Sequence, residues 1–203
     1  MTHVLAAPST PEAAPPKPAE KAEEAGRPPT RELLPRGTAA ALVATAGVAL
    51  AIVSFVDFGA SGRALVGAVF CPMLVLVAAI DFKHQLLPND ILWPAALLIG
   101  LIVAASNPGA FLTHLAAAAA LGGFLIASGL VVRGGIGMGD AKLGFVLGLA
   151  LGTRTLSAMM VAFAGLLLAA LWVLARQGLS ARKQAIPFGP FLALGGILAF
   201  FLG

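Results

Sequence analysis

Apolar runs alternate with short polar breaks from Thr38 to the end of the chain. Seven of these runs predict helices, near 38–56, 64–80, 91–105, 111–132, 139–156, 157–175 and 186–202. A helix needs about 20 residues to cross a bilayer core of about 30 Å, so the third and fifth runs are short for a span. We therefore predict an all-α, polytopic membrane bundle of seven transmembrane helices, or of six if the region 139–175 is organised differently.

Composition supports the membrane class. Of 203 residues, 59% are hydrophobic and 11% are charged, whereas soluble domains average about 25% charged residues. The basic residues are scattered singly, which predicts a lipid bilayer rather than a nucleic acid as partner. Cys71 is the only cysteine and lies in an apolar run, so we expect no disulfide, no metal site and no cofactor.

Residues 1–36 differ in kind from the rest. They hold eight of the 14 prolines and every glutamate, without an apolar run. We predict a Pro/Ala-rich, disordered cytoplasmic tail over 1–36 and a transmembrane domain over 37–203. A tail that binds a partner is the alternative.

The basic residues also predict orientation, because they flank the cytoplasmic ends of membrane helices. With the N-terminus inside, 11 of them are cytoplasmic and two, Arg63 and Arg154, lie outside. The breaks after the second run and before the fifth run then face the cytoplasm.

Four acidic residues remain in the membrane part: Asp57, Asp81, Asp90 and Asp140. Ionisable groups near hydrocarbon cost several kcal/mol unless they are paired or hydrated, so each needs a reason. We interpret Asp57 as a solvated residue of an external loop and Asp90 as the N-cap of the third helix. Asp81 ends the second run and Asp140 opens the fifth, both at the cytoplasmic boundary.

Glycines surround Asp140 on both sides. The preceding "GGIGMG" suits unusual backbone angles and the close approach of another backbone, such as a substrate. Gly144, Gly148 and Gly152 then recur every four residues and predict tight packing of a neighbouring helix, which could bring Asp81 within reach. A carboxylate pair of this kind is typical of aspartic proteases, although a proton relay has the same residues.

Three motifs carry a resemblance to a known family. They are Asp81 followed by "LLPN", Gly137-Met-Gly-Asp140 followed by Lys142, and "IPFGPFLALGG" from 186 to 196. Together, over residues 64–203, they resemble the type IV prepilin peptidases, which are GxGD aspartic proteases of membranes. The resemblance implies that Asp81 and Asp140 are the catalytic pair. Candidate substrate contacts around the pair are Pro88, Asn89, Gly137, Gly139, Lys142, Pro187 and Gly189.

The resemblance also implies a substrate and a location. Prepilin peptidases remove the basic leader of prepilins and pseudopilins, after a glycine, at the cytoplasmic face of the bacterial inner membrane. Larger members also methylate the new N-terminus and carry a cysteine-containing domain between early helices, which this chain lacks. It is therefore similar to the short peptidases of Flp, or tight-adherence, pilins, and methyltransferase activity is not expected. The sequence does not indicate an oligomeric state.

Other classes of protein fit less well. Presenilin-type proteases share GxGD but pair it with a Tyr-Asp motif, and this chain has no tyrosine. A small transporter could use Asp81 and Asp140 as a proton relay, but its site should lie near the bilayer midplane, often within a repeat. An inactive assembly factor would not need both aspartates.

Overall fold

A computed structural model of the protein describes residues 28–131, 137–177 and 186–203. These residues are helical and form no strand. A single turn, α1, precedes seven longer helices, α2 to α8, which confirms the predicted all-α bundle and its seven helices within the described residues. Their bounds in chain order are Thr30–Leu33, Thr38–Phe58, Gly62–His84, Asn89–Ser106, Pro108–Val131, Met138–Leu151, Thr155–Gln177 and Gly189–Leu202.

Five stretches are long and apolar enough to cross a membrane, of which the last, Met138–Gln177, contains both α6 and α7. Between these two helices the chain reverses at the 3-10 turn Gly152–Arg154. The predicted fifth helix ran on to 156, and it ends earlier because Gly152 has a φ of +57°, which breaks the α-helical path. Gly195 of α8 packs against Ala158 of α7, and these two helices are antiparallel.

Helices α3 and α6, which carry Asp81 and Asp140 respectively, contribute the largest numbers of buried residues to the bundle. Nine of the 14 residues of α6 are buried, whereas only Gly47 and Ser54 are buried in the 21 residues of α2. Helix α6 is thus the centre of the bundle and α2 lies at its edge. The Ser54 hydroxyl donates to the carbonyl of Ala64 at 3.1 Å, which satisfies this polar group inside the bundle.

The small face of α6 packs on α5, not on the helix that carries Asp81. A Cβ on Gly144 would lie 2.6 Å from a methyl group of Leu125, and one on Gly148 would lie within 2.5 Å of the backbone nitrogen of Ala118. The expectation that these glycines draw Asp81 near was therefore wrong. Because α5 and α6 are consecutive and antiparallel, the glycines serve the contact between these two neighbours.

We expect Gly148→Ala to destabilise the bundle, because its methyl group would meet the backbone of α5 rather than a flexible side chain. Overpacking of this kind costs about 1–3 kcal/mol. Thermal unfolding in detergent should show a lower transition temperature than for the wild type. Gly123→Ala is the matched control, since a Cβ there meets nothing within 4 Å. Equal transition temperatures for the two variants would contradict this packing.

Structure begins before the predicted domain boundary at residue 37. Thr30–Leu33 form one helical turn, and Leu33 is buried. The end of the predicted tail is therefore part of the folded protein. Residues 1–27, which make up most of that tail, lie outside the described residues, as do residues 134–136 of the predicted glycine-rich turn.

Candidate active site

Asp81 lies one turn before the C-terminal end of α3 and is buried, with 5% of its surface exposed. Its Oδ2 accepts a hydrogen bond from the backbone N–H of Gly189 at 3.0 Å. Gly189 is the first residue of α8, so the carboxylate faces the unpaired N–H groups at the start of that helix. A partner 108 positions away in the sequence thus holds the Asp81 side chain in place.

Asp140 is the third residue of α6 and is half-buried. Its Oδ2 accepts a hydrogen bond from the backbone N–H of Gly137, the N-cap residue, at 3.2 Å. A carboxylate in the first turn of a helix is favoured by the positive end of the helix dipole. Both aspartates are therefore supported by a backbone N–H donor at a helix N-terminus.

The two carboxylates meet at one cavity of about 450 Å³. They belong to helices that are separated in the sequence by α4 and α5. Five of the seven candidate substrate contacts line the same cavity: Pro88, Asn89, Gly137, Gly139 and Lys142. The loop between α3 and α4 forms one wall and the start of α6 forms the other.

Pro187 and Gly189 are not among the described residues that line this cavity. Pro187 is half-buried and Gly189 is buried. Gly189 instead contacts the side chain of Asp81: a Cβ added at residue 189 would lie 2.5 Å from the carboxylate oxygen Oδ2. Its hydrogen bond makes it a positioning residue for Asp81.

Gly139 allows close packing inside the protein. A Cβ at this position would lie 2.8 Å from the Cβ of Leu87, so the loop between α3 and α4 rests directly on the first turn of α6. The group that packs against Gly139 is thus the side chain of Leu87, a residue of the protein itself. This contact fixes the distance between the two walls of the cavity.

A polar contact also joins the two walls. The Nζ of Lys142 donates to the side-chain oxygen of Asn89 at 2.9 Å. Lys142 follows Asp140 by two residues, and Asn89 is the first residue of α4. Hydrogen bonds to charged groups contribute about 1.5–3 kcal/mol, so this bond helps to hold the cavity in one shape.

A double-mutant cycle should separate positioning by Lys142 from direct substrate contact. If Lys142 acts by holding Asn89, Lys142→Met and Asn89→Ala should each slow peptide cleavage about tenfold. The double variant should then be no slower than either single variant. Rates would be measured on a synthetic peptide that carries a basic leader, a glycine and an apolar stretch. Lys83→Met is the control, because Lys83 is exposed. Additive losses in the double variant would contradict the positioning role.

The N-terminal segment, residues 28–33, forms a third wall of this cavity, which the sequence did not predict. Pro28, Pro29, Thr30 and Leu33 all line the cavity that holds the two aspartates. The Thr30 hydroxyl donates to Oδ2 of Asp90, which ties the segment to α4. The available signal was the pair of leucines at 33 and 34, which follows the prolines at 28 and 29 after three polar residues.

The two other aspartates differ from their predicted settings. Helix α4 begins at Asn89 with Pro88 as its N-cap residue, so the prediction that Asp90 is the N-cap was wrong. Asp90 lies in the first turn, lines the cavity and accepts from Thr30. Asp57 is exposed and lies in the last turn of α2, because that helix runs on to Phe58.

Comparison with known proteins places this geometry in a family. The sequence profile of the type IV leader peptidase family matches residues 68–174, a range that includes both Asp81 and Asp140. The chain belongs to the type IV leader peptidase family. This finding confirms the resemblance drawn from the three motifs.

Several curated members of the type IV leader peptidase family align with most of the chain. A "Prepilin leader peptidase/N-methyltransferase" of Bacillus subtilis is 34% identical over 73% of this chain and 60% of its own length. A protein of the same name from Burkholderia pseudomallei is 35% identical over 83% of this chain and 56% of its own length. An Escherichia coli "Type 4 prepilin-like proteins leader peptide-processing enzyme" is 32% identical over 70% of this chain and 53% of its own length.

The chain thus spans a little more than half the length of these curated relatives. No solved structure matches it significantly.

Proposed function

We propose that this protein is a membrane-embedded aspartic endopeptidase that removes the basic leader peptide from prepilin-like substrates. Asp81 and Asp140 are the catalytic pair and water is the nucleophile. The observation that carries the proposal is that two carboxylates from distant parts of the sequence line one cavity at one end of the bundle. Membership of the type IV leader peptidase family supports leader peptides as the substrate class.

The mechanism requires the two carboxyl groups to share one proton, as in other aspartic proteases. The ionised carboxylate takes a proton from water as the water oxygen attacks the scissile carbonyl carbon. The protonated partner gives its proton to the carbonyl oxygen. The tetrahedral intermediate then collapses and the C–N bond breaks. The leaving nitrogen takes up the proton that the first carboxylate took from water, and a hydroxyl group of the intermediate returns a proton to the second carboxylate. Both roles need only the side chains that line the cavity.

The substrate class suits the position of the cavity at a membrane surface. A prepilin has a basic leader followed by an apolar helix, so its scissile bond lies near the lipid headgroups while the helix stays in the bilayer. Asp81 lies one turn from the end of α3 and Asp140 in the first turn of α6. Both therefore lie at the level where water is available for hydrolysis.

We assign leader cleavage, and not methyl transfer, to this chain. Only residues 59–61 separate α2 from α3, which leaves no room there for the cysteine-containing domain of the larger prepilin peptidases. Cys71 is buried within α3. The assignment corresponds to the short peptidases of Flp-type pilins.

Co-expression with a prepilin-like protein from the same genome tests the proposal. The substrate would carry a C-terminal tag, and its mass would be measured after purification. Cleavage should shorten it by its basic leader and leave a new N-terminus directly after a glycine. An unshortened substrate in cells that contain the folded peptidase would contradict the proposal.

Cysteine labelling tests the proposed cytoplasmic location of the active site, which follows from the distribution of basic residues. In a Cys71→Ala background, a cysteine at the exposed position Lys83 should resist a membrane-impermeant maleimide in intact cells. A cysteine at Ala60, which is exposed at the opposite end of α3, should react. The reverse pattern would place the cavity on the wrong side of the membrane for prepilin leaders.

A further inference from the structure

A second cavity, of about 430 Å³, lies at the end of the bundle opposite the two aspartates. Arg63 is the second residue of α3, and Asp81 follows 18 positions later. At 1.5 Å of rise per residue, this separation is about 27 Å, which is close to the thickness of a bilayer core. The polar residues of this cavity are Arg63, Ser106, Asn107, His114, Thr153 and Arg154.

The cavity is positively charged. It is lined by two arginines and a histidine, and no aspartate or glutamate is among the described residues that line it. Arg63 and Arg154 both lie beside Gly203: Nη2 of Arg63 donates to its backbone oxygen, and Nε of Arg154 would lie 3.2 Å from a Cβ at this position. In the described part of the chain, neither arginine forms an ion pair with an acidic side chain. Two like charges that converge at the edge of the bundle repel each other, and a bound anion would relieve this repulsion.

Arg63 is held rigidly, and its hydrogen-bonding capacity is not fully used. One of its terminal nitrogens, Nη2, donates to the carbonyl of Phe200 and to a backbone oxygen of Gly203, the last residue of the sequence. Its guanidinium lies 3.9 Å from the centre of the Phe58 ring. Its Nε is buried and has no hydrogen-bond partner among the described residues. A buried donor without a partner costs about 1–3 kcal/mol. Because Nε is enclosed by protein, an anion in the cavity would be bound by the terminal nitrogens of the guanidinium.

His114 and Arg154 frame the cavity from two other elements. The Nδ1 of His114 is 2.8 Å from the carbonyl oxygen of Leu149, which fixes the ring against α6. Arg154 belongs to the 3-10 turn between α6 and α7. The two arginines and the histidine thus come from α3, α5 and this turn, so they converge only in the folded protein.

We propose that this cavity binds a phosphate group, supplied by the headgroup of an anionic phospholipid. Arginine is suited to the task, because its planar guanidinium forms paired hydrogen bonds with phosphate oxygens. The cavity lies about one bilayer core away from the two aspartates, which is the level of the headgroups of the opposite leaflet. Free phosphate has the same chemistry and is the other source that the experiment distinguishes.

Lipid binding would be measured on the full chain in nanodiscs of phosphatidylcholine, into which phosphatidylglycerol is titrated. Native mass spectrometry counts the retained lipids, and thermal unfolding gives the accompanying rise in transition temperature. Inorganic phosphate is tested in a separate arm. We expect phosphatidylglycerol to be retained and to stabilise the wild type, with Arg154→Gln binding it about tenfold more weakly.

Arg176→Gln is the matched control, because Arg176 is exposed at the far end of α7, beside Trp172. It should bind phosphatidylglycerol as the wild type does. Arg154 is preferred to Arg63 for the test, since Arg63 also holds the end of α8 and its loss would disturb folding. Unaltered lipid retention in Arg154→Gln would overturn the proposal, as would equal losses in both variants. Stabilisation by inorganic phosphate, with no preference for phosphatidylglycerol, would assign the site to free phosphate and overturn the lipid as source.

Discussion

Replacing either Asp81 or Asp140 by asparagine should abolish leader cleavage while the protein still inserts and folds. Asparagine keeps the side-chain oxygen that accepts from Gly189 or from Gly137, so the substitution removes the charge and the exchangeable proton but not the shape. Loss of general acid–base catalysis lowers rates by a factor of about 10²–10⁴. The rate would be followed as the fraction of substrate processed with time.

Asp57→Asn is the control for these variants. Asp57 is exposed at the end of the bundle opposite the cavity that Asp81 and Asp140 line. Its loss should leave processing unchanged. Because a carboxyl pair that shares one proton fails when either member is lost, the two single variants should be equally inactive. Near wild-type processing by one of them would show that the catalytic pair is wrongly assigned.

Gly189→Ala should also lower the rate of leader cleavage strongly, although residue 189 does not line the cavity of Asp81 and Asp140. Its new methyl group would lie 2.5 Å from Oδ2 and 2.9 Å from Cγ of Asp81, so the carboxylate must move and its hydrogen bond with the backbone N–H is disturbed. A displacement of about 1 Å in an active site can lower the rate by about 10²-fold. The measurement is the processing rate per folded protein, with thermal unfolding as the check on folding.

Gly109→Ala is the matched glycine control, since a Cβ there meets nothing within 4 Å. It should process substrate at the wild-type rate. If Gly189→Ala did the same, the carboxylate of Asp81 would not depend on its contact with α8. The catalytic pair itself would remain testable by the asparagine variants.

Much of the architecture followed from the sequence because membrane helices are marked by their apolar runs. The positions of Asp81 and Asp140 at the same end follow from that pattern, since two helices, α4 and α5, lie between the end of α3 and the start of α6 and return the chain to the same end. The loop motif 86–89 and the start of α6 form the walls of the cavity for the same reason. These features depend on local sequence and on alternation of direction.

Features that depend on partners far apart in the sequence could not be predicted in this way. Glycines every four residues on α6 indicate a close neighbour but not which one, and the neighbour is α5. The hydrogen bond from Gly189 to Asp81 joins residues 108 positions apart. The contact of Thr30 with Asp90 likewise spans 60 positions, which is why the segment 28–33 was read as part of a tail.

The most direct measurement uses the purified protein and a synthetic peptide that carries a basic leader, a glycine and an apolar stretch. Mass spectrometry of the products should find two fragments whose masses sum to that of the peptide plus one water, with the cut after the glycine. Asp140→Asn should give neither fragment. An intact peptide with the wild type, together with an Asp140-dependent proton flux in proteoliposomes, would contradict the account and favour a proton relay.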